Sequence, residues 1–85
     1  MNGDDDPAIT PVELDEAHRY SLIVAWSPRD EAYLVAVPEL PGCRTHSATH
    51  AEAVALGEEA VATCLAGLRA GGQPVPPPRF ATAPV

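Results

Sequence analysis

Residues 33–43 read YLVAVPELPGC, and this stretch decides the fold. In its first half Tyr33, Val35 and Val37 alternate with Leu34 and Ala36, the two-residue period of a strand expected over Glu31 to Val37. The second half stops that strand. Pro38 and Pro41 each remove a backbone donor, and Gly42 directly after Pro41 suits a turn that needs a positive φ. The segment VPELPGC, Val37 to Cys43, is therefore a corner that ends one strand and redirects the chain.

Working outward, Tyr20 to Trp26 repeats the alternation, with Tyr20, Leu22, Val24 and Trp26 on one face and Ser21, Ile23 and Ala25 on the other. Ser27, Pro28, Arg29 and Asp30 supply turn chemistry, so the two strands should pair as an antiparallel hairpin. After the corner, Cys43 to Ala48 is too short for a helix and is expected as a third strand. Thr49 and Glu52 then form a capping box that starts a helix at His50. Its apolar stripe is expected at Ala53, Val54, Gly57, Ala60, Val61, Cys64, Leu65 and Leu68, facing the sheet. Gly57 is unfavourable within a helix and so marks a close approach to the sheet; Gly71 and Gly72 end the helix.

The chain has 85 residues, enough for one small domain, placed at residues 20–73. Residues 1–19 carry the cluster Asp4 to Asp6 and two prolines and are expected as a flexible acidic arm, with a short turn at Val12 to His18 that requires tertiary contacts. Residues 74–85 form a proline-rich tail, in which only Arg79 to Ala83 suits an edge strand. No apolar run is long enough to span a membrane, and the polar start MNGDDD is unlike a secretory signal, so a cytoplasmic location is expected. There Cys43 and Cys64 should be free thiols.

The net charge of −7 comes from 12 acidic residues against 5 arginines and no lysine. Such a surface repels nucleic-acid backbones and suits a basic partner. Asp30, Glu31, Glu39 and Glu52 are the carboxylates to weigh for a magnesium site, and Cys43, His46 and His50 for zinc. Turns and solvated helix starts account for the first set, and the helix start between His46 and His50 breaks the spacing of the second. Neither catalytic nor metal or cofactor residues are expected. Trp26 and Tyr33 are candidate interface anchors, flanking the acidic Asp30 and Glu31.

The pieces YSLIVAW (20–26), YLVAVPELPGC (33–43), THAEAVALGEEAV (49–61) and GGQPVPPP (71–78), in this order, resemble the HicB antitoxin family and its HicB-like domains. The resemblance implies an α+β, truncated ribonuclease-H-like fold, β-β-β-α-β, with one helix packed on one face of an antiparallel sheet. It implies a non-enzymatic protein that binds and neutralises a small HicA toxin, an mRNA-cleaving protein resembling double-stranded RNA-binding domains. The partner-binding residues are expected at Trp26, Asp30, Glu31 and Tyr33, while Pro38, Pro41, Gly42, Thr49 and Glu52 serve the turn and the cap. Family members that bind promoters carry a further DNA-binding module. Only a proline-rich segment follows Gly72 here, so direct DNA binding by this chain is not expected. A homo-oligomer, dimer or tetramer, is expected, and the alternative role is that of a toxin-less, homo-oligomeric scaffold or adaptor.

Overall fold

The computed structural model describes residues 11–79. Five elements follow one another: α1 (Pro11–Ala17), β1 (Ile23–Ser27), β2 (Ala32–Ala36), β3 (Arg44–Ser47) and α2 (His50–Ala70). The strands form one antiparallel sheet in the order β1-β2-β3, with Trp26 opposite Tyr33 and Tyr33 opposite Ser47. The α+β class read from the sequence is correct. Two parts of the β-β-β-α-β order stand differently: a helix precedes the sheet, and beyond Arg79, which lies outside any strand, the expected last strand falls outside the described residues.

The corner behaves as its prolines dictate. Leu40 N–H donates to Val37 C=O at 3.0 Å and Cys43 N–H to Leu40 C=O at 2.9 Å, two successive turns that Gly42 closes at φ 91°. Val37, Glu39, Leu40 and Cys43 are buried, whereas Pro41 and Gly42 face solvent. A buried carboxylate in a turn needs donors, and Glu39 has them. Ser21 N–H donates to both of its oxygens at 3.2 Å, Ser21 Oγ to Oε2 at 2.9 Å and Arg79 N–H to Oε2 at 2.9 Å. Burial pushes the Glu39 carboxyl up, but the Arg79 amide and the Ser21 hydroxyl and amide outweigh it and hold the group below its ordinary value.

This carboxylate also explains why β1 begins at Ile23 and not at Tyr20. The Ser21 amide is taken by Glu39, and Ile23 pairs with Ala36, the last residue of β2. Tyr20 instead packs into the core, and its hydroxyl donates to Pro76 C=O. With Val75 packed on the core, the first part of the proline-rich tail lies along the body.

Helix α2 starts on Thr49, whose hydroxyl accepts from Glu52 N–H at 3.1 Å. It ends with Gln73 N–H on Leu68 C=O and Gly72 N–H on Arg69 C=O, the left-handed residue being Gly72 at φ 68°. The buried residues are Ala53, Gly57, Val61, Ala62, Leu65 and Ala66, so the stripe is turned from the expected one: Ala62 and Ala66 join it and Val54 is exposed. The cause is α1. Expected as part of a flexible arm through Arg19, residues 11–17 form a helix packed on α2. Arg69 Nη1 donates to Glu13 Oε2 at 2.5 Å and to Glu16 Oε1 at 2.6 Å, and Nη2 donates to Glu16 Oε2 at 2.9 Å. His18 Nδ1 lies 2.9 Å from Glu58 Oε2. The ion pairs reach back along α2 to Glu58, one turn short of Val54.

The fully buried Val61 and Leu65 of α2 pack with Ala17, Tyr20 and the corner residues Val37, Leu40 and Cys43 in one core cluster, while Val35, also fully buried, lies under Gly57. A Cβ on Gly57 would stand 3.0 Å from Leu22 Cδ1 and 3.1 Å from Val35 Cγ1, the close approach read from its position. Cys43 and Cys64 are free; burial, then the neighbouring Cys64, pushes the Cys43 thiol up to about 12. Among the described residues no helix is long and apolar enough to cross a membrane.

Candidate functional site

The β1–β2 turn and the start of α2 lie at one end of the sheet, and VPELPGC lies at the other. At the first end the cross-strand pair Trp26 and Tyr33 meets edge to face, with ring centroids 5.0 Å apart and planes at 65°. Tyr33 in turn lies 4.3 Å from the ring of His50, the first residue of α2, at 40°. The three rings form a tile on the helix side of the sheet. Strand alternation puts Trp26 on that side with Leu22 and Val24, yet Trp26 is 51% exposed because α2 lies over β3 and β2 and scarcely reaches β1.

The turn beside the tile is ordered by its own side chains. Ser27 Oγ donates to Asp30 Oδ2 at 3.0 Å and accepts from Asp30 N–H at 3.3 Å. Glu31 follows in the left-handed region at φ 51°, which a residue with a Cβ adopts at a cost of roughly 1–2 kcal/mol. Its carboxylate is thus presented at the exposed tip. Trp26, Asp30, Glu31 and Tyr33 therefore come together in one hairpin end, though Asp30 spends an oxygen on the turn.

Of the turn and cap residues, Thr49 and Glu52 lie at the start of α2, while Pro38, Pro41 and Gly42 lie at the far end of the sheet. The carboxylates weighed for magnesium do not converge: Asp30 and Glu31 occupy the tip, whereas Glu39 is buried in the corner. Among the described residues no three His, Cys, Asp or Glu side chains are placed to hold a metal ion. His50, weighed for zinc, is instead an aromatic neighbour of Tyr33. Ser47 ends β3 opposite Tyr33, and its Oγ donates to Thr49 C=O at 2.7 Å, which turns the chain tightly and sets His50 beside that ring.

The tile brings the indole, phenol and imidazole rings of Trp26, Tyr33 and His50 together. It can take up a flat or cationic group, because aromatic faces attract cations and nearby carboxylates add to that attraction. A family model described as "HicB_like antitoxin of bacterial toxin-antitoxin system" matches residues 20–83, most of the chain. No curated protein and no solved structure matches it.

Proposed function

Because the chain belongs to the HicB-like antitoxin family of bacterial toxin–antitoxin systems, we propose that it binds and neutralises a small, basic, HicA-type mRNA-cleaving toxin without any catalysis of its own. The observation that carries this reading is the Trp26–Tyr33–His50 tile, with Trp26 and His50 exposed, at the same hairpin end as the exposed Glu31. Tryptophan and tyrosine concentrate binding energy when a partner desolvates them, and a net charge of −7 speeds encounter with a basic protein. In this reading Trp26, Tyr33 and Glu31 make the contact and Asp30 shapes the turn through Ser27. Neutralisation is then occlusion: a toxin whose catalytic face is covered has no access to RNA.

The test is co-expression with the product of the neighbouring gene, followed by co-purification and a growth assay. Growth rescue and a stable complex are expected, with Trp26→Ala and Tyr33→Ala each weakening the complex roughly tenfold or more. A neighbour that is neither toxic nor bound by the chain overturns the proposal.

A further inference from the structure

The aromatic tile is a row of three rings with Tyr33 in the middle, Trp26 at 5.0 Å on one side and His50 at 4.3 Å on the other. Tyr33 is half-buried between its neighbours, whereas Trp26 is 51% exposed and His50 is exposed. A tryptophan ordinarily gives most of its surface to a core, so an indole half in water is surface left for a partner. One turn of α2 beyond His50, and so on the same face of that helix, Val54 is 48% exposed.

We infer that the tile is a receptor for an arginine side chain, so that the toxin of the proposed function engages it through a guanidinium and not through an ammonium or an apolar anchor; only the bearer of the arginine rests on that proposal. Three properties select the guanidinium. It is planar and weakly hydrated and lies flat on a ring face, where an ammonium holds its water. Its methylene stem takes apolar surface beside the rings, which Val54 offers. Its edge is a fork of N–H donors that a carboxylate accepts.

The carboxylate at hand is Glu31. It is exposed, and among the described residues no group pairs with it, whereas Asp30 is engaged with Ser27 through both its amide and its carboxylate. Glu31 also holds a left-handed backbone at φ 51°, which glycine or asparagine adopts with less strain. A turn that needed only the bend has no use for a glutamate there. An apolar anchor fits poorly, since Arg29, Asp30 and Glu31 are all exposed at this tip and would lose hydration to it without exchange.

Arg29 works against the site. It is an exposed cation three residues beyond Trp26, and it repels an incoming guanidinium. Removing it should strengthen binding and neutralising Glu31 should weaken it, two opposite signs that a merely structural part for these turn residues would not produce.

Trp26 is the sole tryptophan of the chain, so its fluorescence reads the tile directly and without the toxin. The purified chain is titrated with the N-acetyl amides of arginine, lysine and leucine at constant ionic strength. The arginine amide should change the emission saturably with a Kd on the order of 10 mM, the strength of one cation on a ring beside a solvated carboxylate. The lysine amide should bind about threefold more weakly or less, and the leucine amide should leave the emission unchanged. Glu31→Gln should raise the arginine Kd roughly threefold, and Arg29→Gln should lower it roughly twofold. A lysine or leucine amide that matches arginine overturns the inference, as does a response that never saturates or one that neither variant moves. A failed titration beside a successful co-purification removes the guanidinium and leaves the antitoxin reading; the converse removes the toxin and leaves the arginine receptor.

Discussion

Glu39 joins three parts of the chain that are distant in sequence, and its side chain is spent on doing so. It receives the Ser21 amide and hydroxyl and the Arg79 amide while almost wholly buried. Replacing it by alanine strands those donors and should cost roughly 2–3 kcal/mol by denaturant unfolding, more than removing an exposed carboxylate would. Glu39→Gln keeps one acceptor oxygen and should cost less. The sign of the pH effect follows from the lowered folded-state value. The contribution is complete above the unfolded value of 4.5 and is lost as pH falls through the lower folded one, so wild type should lose stability across that acid range and Glu39→Gln should lose less. Equal acid sensitivity in the two proteins would remove Glu39 from this role.

Among the elements, α2 is set by one glycine and turned by one helix. Gly57 lets it approach Leu22 and Val35, and Val35 is fully buried and β-branched, so it cannot yield. Gly57→Val should therefore cost roughly 2–3 kcal/mol through overpacking, measured as a lowered Tm or denaturation midpoint. In Gly57→Ala the gain in helix propensity of about 1 kcal/mol sets itself against the tighter contact. Gly57, Thr49 and the paired glycines after Ala70 were legible because each answers a local need: space, a cap, a left-handed residue. The hairpin was legible for the same reason, with Pro28 and Asp30 in its turn. What escaped was long-range. Nothing within residues 11–17 states that Arg69 will accept Glu13 and Glu16 as partners, and without α1 the burial of Ala62 and Ala66 has no visible cause. The aromatic tile was half legible: alternation pairs Trp26 with Tyr33, but placing His50 beside them requires the path of the Ser47–Thr49 turn.

At the scale of the whole molecule, α1 is held to the body chiefly through its charges and Ala17. The Arg69 hydrogen bonds hold Glu16 below its ordinary value, and the two carboxylates raise Arg69 in return. Docking should thus be complete above the Glu16 unfolded value of 4.5 and weaken as pH falls through the lower folded one. Arg69→Ala should loosen α1 at neutral pH, seen as faster proteolytic cleavage within residues 11–19 while the sheet stays protected; unchanged cleavage would show that Ala17 packing suffices. The two sides of the sheet differ in character: one carries the aromatic tile, and the other carries the exposed apolar side chains of Ile23 and Leu34.

The staple at Glu39 also gives the protein a mechanical polarity. The Tyr20 hydroxyl grips Pro76 and Glu39 grips Arg79, both at the end of the sheet away from the Trp26 hairpin tip. Tension applied beyond Arg79 is borne first by those bonds and then by the corner, while the tip carries no load. An anchor, a fluorophore or a surface linkage attached past that point therefore leaves the Trp26 hairpin tip facing outward.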